Sequence, residues 1–201
     1  HERQLLVEVA ADHRGVDDEA VGDRTSEQQQ RVGGKNASGE YLIFLNNDTL
    51  VCPDWLDELI RTLEENPGIG LAGSKLIYPD GSLQEAGGII FDDGSGWNYG
   101  RFEDADRPQF NFLRDADYCS GASLAISTKL WNQLNGFDER FTPAYYEDTD
   151  LAFRVREAGY RVVYQPLSAV VHFEGISNGR SDCETDRASS SGKTTSAERI
   201  S

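Results

Sequence analysis

The sequence has no methionine, only three cysteines, and 19 basic against 35 acidic residues among 201. Each scarcity excludes something. Cys52, Cys119 and Cys183 are far apart, odd in number, and lack any CxxC or Cys/His spacing, which rules out a disulfide framework and a zinc knuckle. A reducing, cytoplasmic setting is the matching expectation. A formal net charge of -16 repels nucleic-acid phosphates, so no nucleic-acid partner is expected. It leaves room for a phosphorylated small molecule whose charge is neutralised locally. No apolar run approaches the ~18 residues of a membrane helix. No transmembrane segment is expected and no secretory signal is visible. A chain that starts at His1 and lacks Met reads as a fragment or a processed product.

What is present is an alternation of apolar runs with amphipathic ones. "YLIFL" (Tyr41 to Leu45) is continuous rather than alternating, the pattern of a strand buried on both faces. Pro53 and Asp54 open a helix in which Trp55, Leu56, Leu59, Ile60 and Leu63 recur at helical spacing, until Asn66, Pro67 and Gly68 stop it. "IGLAGSKLIY" (Ile69 to Tyr78) and "SLAIST" (Ser123 to Thr128) read as strands, with a Pro-Asp-Gly turn at Pro79 to Gly81. The Gly-rich span Gly87 to Gly100 reads as hairpins or a mobile loop. "KLWNQLN" is a short helix closed by Gly136. "EDTDLAFRVREAG" is a helix with acidic residues in its first turn, and "YRVVYQP" and "AVVHFEG" are two more strands. This order predicts an α/β layered fold with a mostly parallel central sheet flanked by helices. Residues 1–32 carry no clear period, and from Ser177 the chain has almost nothing to bury, as in a disordered tail. "SSGKTT" is no phosphate loop, because Arg187 stands where that motif needs its first Gly.

Three polar clusters punctuate these apolar elements. Asn46, Asn47 and Asp48 follow the first strand; Glu147, Asp148 and Asp150 start a helix; His172 sits inside "VVHFEG". Open α/β sheets bind ligands beyond the carboxyl ends of their strands. There, one Asp, one His and a substrate diphosphate could together hold Mn²⁺ or Mg²⁺. Each cluster also has an ordinary explanation: an Asx turn with a helix cap, acidic residues serving a helix dipole, or a buried structural histidine.

The blocks "ASGEYLIFLNNDT", "DYCSGASLAIS", "GFDERFTPAYYEDTDLAFRVREAGYRVVYQP" and "VVHFEG" resemble family 2 glycosyltransferases with the GT-A fold, in particular bacterial rhamnosyltransferase-like enzymes of polysaccharide biosynthesis. The resemblance spans about residues 33–175, so 33–176 reads as a partial GT-A-like domain. Nothing before Gly33 matches the family's nucleotide-binding segment, which is therefore expected to be incomplete.

The resemblance implies the following roles. Asn46-Asn47-Asp48 occupies the DXD-like motif, with Asn in place of the first Asp, so Asp48 is the metal ligand and Asn46 and Asn47 line the donor site. Asp148, in the family's "ED" motif, is the catalytic base, and Glu147 contacts the acceptor or caps the helix. His172 is a second metal ligand. Ser120, Gly121 and Ala122 line the donor and acceptor pocket. Trp97, with Asn98, Tyr99 and Arg101, offers either an acceptor-side lid or an ordinary hairpin arm. The implied reaction is metal-dependent, inverting transfer from a nucleotide-diphosphate sugar to a hydroxyl of a glycan or lipid-linked acceptor. It would take place in the cytoplasm or at the inner face of the membrane, with peripheral membrane contact compatible. Inversion requires no nucleophilic side chain, which leaves Cys119 to packing. Two alternatives remain: an inactive fragment that binds metal or sugar only, and a nucleotidyltransferase, for which no basic Gly-rich loop is found.

Overall fold

The computed structural model describes Gly34, residues 38–141 and residues 146–173. The irregular segment 1–32 and the tail 177–201 expected from sequence lie outside the described residues.

The elements follow the apolar pattern closely. Strand β1 (Tyr41–Leu45) is buried, with Leu42 and Phe44 entering one core and Ile43 and Leu45 the other. That two-sided burial is why the run is continuous instead of alternating. A short β2 (Thr49–Val51) leads to helix α1 (Trp55–Glu65), which buries Trp55, Leu59, Ile60 and Leu63 against the sheet. Each such side chain contributes ~1.5–3 kcal/mol on burial. β3 (Ile69–Ile77) runs through the centre. After the turn at Gly81, whose φ is +86°, come β4 (Leu83–Glu85), β5 (Gly88–Ile90) and β6 (Gly96–Asn98). β7 (Arg114–Asp115) and β8 (Ser123–Ser127) follow, and then α2 (Thr128–Gln133), capped by the Ser127 hydroxyl. Helix α3 (Glu147–Glu157) ends before Gly159, whose φ of +89° favours glycine. β9 (Arg161–His172) closes the described chain.

The main sheet has the order β1-β8-β3-β9-β2, with β4 on β3 and β7 on β9. The helices-on-a-sheet architecture is as expected, but the strand directions need a correction. β1, β3 and β9 do run the same way. However, β8 is inserted between β1 and β3 in the opposite direction, so among the described strands only the β3–β9 ladder is parallel. Periodicity reports burial, not the direction of a neighbouring strand. A second correction concerns the last two apolar runs, which form one strand. The β3 ladder passes from Ser74↔Gln165 to Lys75↔Ala169, leaving Pro166 in an irregularity where its missing N–H costs nothing. α1 covers one face of the sheet; α2 and α3 cover the other. On the α1 side, Ser74 shares hydrogen bonds of 2.7 Å with both Ser123 and Ser168, and Trp55 Nε1 donates to Ser123 Oγ at 2.8 Å, so the hydroxyls buried there are satisfied.

Candidate active site

The polar residues after β1 are folded against the end of β9. Asn46 N–H still donates to Ala122 O at 3.0 Å, so the turn preceding β8 caps the exit of β1. Thr49 pairs with His172, and Phe173 N–H donates to Asp48 O at 2.8 Å. This short ladder brings an Asp48 carboxylate oxygen to 3.3 Å from His172 Nε2, and both side chains are nearly enclosed. His172 Nδ1 lies 3.1 Å from Gln84 Oε1, and Asn46 Nδ2 lies 3.4 Å from His172 Nε2. The Gln84 oxygen can only accept and the Asn46 amide nitrogen can only donate. In the neutral ring both contacts suit one tautomer, with the hydrogen on Nδ1 and the lone pair on Nε2 toward Asp48. A carboxylate oxygen and an imidazole nitrogen at that separation call for positive charge there, either a proton on Nε2 or a cation, so this donor set fits a divalent ion. Gln84 orients the histidine in the manner of a metal site's outer partner. Among the described residues, no group of three or more His, Cys, Asp or Glu side chains is arranged to hold a metal. Asn47, between Asn46 and Asp48, is exposed.

A second corner forms where the turn Ser120–Ala122 meets the start of α3. Gly121 N–H donates to Asp148 Oδ2 at 3.0 Å, and the other carboxylate oxygen accepts from Thr149 N at 2.6 Å and Thr149 Oγ1 at 3.2 Å. Burial holds the Asp148 carboxyl above its ordinary value, with the hydrogen bonds from Gly121 and Thr149 opposing it. A carboxylate destabilised by burial is a stronger proton acceptor than a solvated one. Its neighbours are held differently. Asp150 is paired with Arg154 at 2.6 Å, and that guanidinium also donates to Leu134 O at 2.7 Å. Glu147 is buried, 7% exposed, beneath the helix start. Cys119 is sealed in the core, where burial pushes its thiol up, as suits a packing residue and not a nucleophile.

The two corners share one turn. Ala122 caps the metal-type corner through Asn46, and Gly121 holds Asp148. Ser120 N–H is held by Glu85 Oε1 at 3.0 Å. Sequence reasoning missed Gln84 and Glu85. The one signal for them was a pair of consecutive polar residues in "LQEAGG", and nothing local says that either one is buried.

The Gly-rich span forms the β5–β6 hairpin, not a free loop. Gly88 exchanges backbone hydrogen bonds with the 117–118 segment, and Tyr118 OH donates to Asn98 Oδ1 at 2.8 Å. Trp97 is 55% exposed on this arm, across from Ile89. A Cβ at Gly88 would lie 1.9 Å from the Tyr118 ring. Gly88→Ala is expected to destabilise the fold by ~1–3 kcal/mol through overpacking. Urea unfolding of the variant checks this, and an unchanged midpoint contradicts the tight packing of the arm.

Comparison with known proteins places this geometry. A profile of glycosyltransferase-like family 2 matches residues 18–189. The O-antigen biosynthesis protein RfbC of Myxococcus xanthus is 34% identical over 149 residues, covering 71% of this chain and 12% of that protein. The N-acetylglucosaminyl-diphospho-decaprenol L-rhamnosyltransferase of Mycobacterium tuberculosis is 29% identical over 159 residues, covering 70% of this chain and 49% of that protein. The chain thus spans at most about half the length of these curated relatives. The crystal structure of GalNAc-T7 with UDP, GalNAc and Mn²⁺ superposes with a TM-score of 0.59 at 15% identity, covering 73% of this chain and 30% of that one. No helix among the described residues is long and apolar enough to cross a membrane. The chain belongs to glycosyltransferase-like family 2, and its fold is of the GT-A type.

Proposed function

We propose that this chain carries the donor-side metal corner and the catalytic base of an inverting transferase. It would move a sugar from a nucleotide-diphosphate sugar to an acceptor hydroxyl with the help of Mn²⁺ or Mg²⁺. The observation that carries the reading is that the turn Ser120–Ala122 bonds Asp148 through Gly121 and, through Ala122, the backbone of Asn46, whose side chain lies beside the His172–Asp48 pair. The solved GT-A relative bound to UDP and Mn²⁺, and the relatives named for O-antigen biosynthesis and rhamnosyl transfer, support a nucleotide-diphosphate donor and a glycan or lipid-linked acceptor.

Asp48 and His172 would hold the cation, with donor diphosphate oxygens completing its shell. A cation held by Asp48 and His172 would supply positive charge for the departing diphosphate. Asn46 steadies His172 and closes the donor side. Asp148 takes the proton of the acceptor hydroxyl as that oxygen attacks the anomeric carbon. Gly121 N–H fixes one oxygen of this carboxylate so that its direction is set before substrate arrives. No covalent sugar–enzyme intermediate is required, and Cys119 is too enclosed to form one. Trp97, with its exposed aromatic face, is assigned to the acceptor side.

Asp48→Ala is expected to abolish Mn²⁺-dependent binding of nucleoside diphosphate while the chain stays folded. The check is calorimetric titration of UDP, GDP and dTDP in turn, with and without Mn²⁺, against wild type. If metal-dependent binding is the same in both proteins, Asp48 is not a ligand.

A further inference from the structure

Glu85 has no place in the reaction as described above, yet its setting is unusual. It is 1% exposed, and its Oε2 has neither a hydrogen-bond partner nor contact with solvent. Its other oxygen accepts from Ser120 N–H at 3.0 Å, one residue before the amide that holds Asp148. Two successive N–H groups of one turn thus clamp two carboxyl groups. A buried polar atom without a partner forfeits its hydration and gains nothing in return, so a chain that keeps one there keeps it against its own stability.

The strand that carries Glu85 is built for this contact. β4 pairs with β3 as Ile77↔Leu83 and then Leu76↔Glu85, so Gln84 is an extra residue opposite the ladder. A regular strand would send Gln84 and Glu85 to opposite faces. The bulge breaks that alternation, a known way of re-aiming side chains beside active sites. Gln84 reaches the ring of His172 and Glu85 reaches the Ser120 amide. One short buried strand therefore touches both corners.

We propose that Glu85 is a positioning residue for the base: it holds the Ser120–Gly121 turn in the one conformation that aims Asp148 at the acceptor, and the β4 bulge registers that turn with the His172 corner. This deepens the transferase reading and rests on it for the identity of the base. The charged and titratable groups that act on or respond to Glu85 are Asp148 from α3, Arg114 and Arg101, and Tyr118 and Cys119 from the segment before the turn. Burial pushes the Glu85 carboxyl up to about 8, with the Asp148 charge adding to the effect and the Ser120 amide and the two arginines opposing it. At neutral pH it is the uncharged acid, which accepts from Ser120 without placing a second full charge beside the base.

The test compares wild type with Glu85→Ala and Glu85→Gln in the full chain. Two readouts are followed: the ¹H–¹⁵N signals of Ser120 and Gly121 as pH is varied, and release of nucleoside diphosphate from sugar nucleotides. Glu85→Ala is expected to shift both amide signals and to lower kcat by ~10–100-fold with donor KM within ~3-fold, since a small misplacement of a catalytic group costs up to about 10²-fold. Glu85→Gln keeps an oxygen for Ser120 and is expected to restore the Gly121 signal and most of kcat. If Glu85→Ala leaves the Gly121 amide in its wild-type position, the proposal is overturned. If Gly121 moves but wild type releases no nucleoside diphosphate, the positioning stands and the transferase reading falls. Should Glu85→Ala not fold, Glu85→Gln decides alone. In that variant the pH-dependent movement of the Ser120 amide centred near 8 is expected to disappear, and its persistence at Ser120 overturns the proposal.

Discussion

Asp148→Asn is expected to lower turnover by ~10²–10⁴-fold, the usual loss when a general base is removed. Donor affinity should stay close to wild type, because the proton is transferred in the transition state and the metal corner is untouched. The substitution also has a structural cost. Asp148 uses both oxygens as acceptors, for Gly121 on one side and Thr149 on the other. An asparagine must turn its NH₂ toward one of these donors, leaving an N–H without an acceptor at ~1–3 kcal/mol. The thermal midpoint of the variant should therefore be recorded beside its kinetics, with the assay run well below it. The same assay on Glu147→Gln and Asp150→Asn assigns the role. Asp150→Asn breaks the ion pair with Arg154, which remains held by Leu134 O, so this variant should lose stability rather than chemistry. Near-normal turnover by Asp148→Asn beside a dead neighbour would overturn the assignment.

The second large effect is on stability as a function of pH. Glu85 ionises at about 8 in the folded chain against an ordinary 4.5. A carboxyl raised on folding binds its proton more tightly in the native state. Between these two values the folded chain keeps a proton that the unfolded chain has lost, so stability falls as pH rises through the window. Each tenfold difference in proton affinity between the two states corresponds to about 1.36 kcal/mol, so the loss across the window is ~3–5 kcal/mol. Asp148, raised in the same direction by burial, adds to the fall in wild type and persists in any Glu85 variant. Glu85→Gln removes only the Glu85 contribution. Its stability relative to wild type should increase steadily from about pH 5 to about pH 8.5, as read from a series of urea unfolding curves across that range. Parallel curves for the two proteins would mean that Glu85 is not the buried acid described.

These effects depend on a turn that local sequence could not reveal. "NND" after an apolar run, "ED" at a helix start and a histidine between valines are all visible as residue types at the ends of elements. Their meeting depends on pairings 27 to 126 residues apart, such as Gly121 with Asp148 and Asn46 with His172. Asp150 shows the limit from the other side. It shares the acidic helix start with Asp148, and only the structure shows its ion pair with Arg154. Asn47 likewise shared a motif with Asp48 and turned out to be exposed.

Residue order alone was enough to mark the strands and helices, because two-sided burial and helical amphipathicity leave direct patterns in it. It was also enough to put a carboxylate, a histidine and an acidic helix start at the ends of those segments. Three features became visible only in three dimensions: β8 inserted against the direction of its neighbours, the bulge of β4 at Gln84, and a fully buried glutamate sharing a turn with Asp148. Strand direction and register are set by hydrogen bonds between residues far apart in the chain. A one-residue bulge changes which face a side chain meets without changing the local sequence pattern.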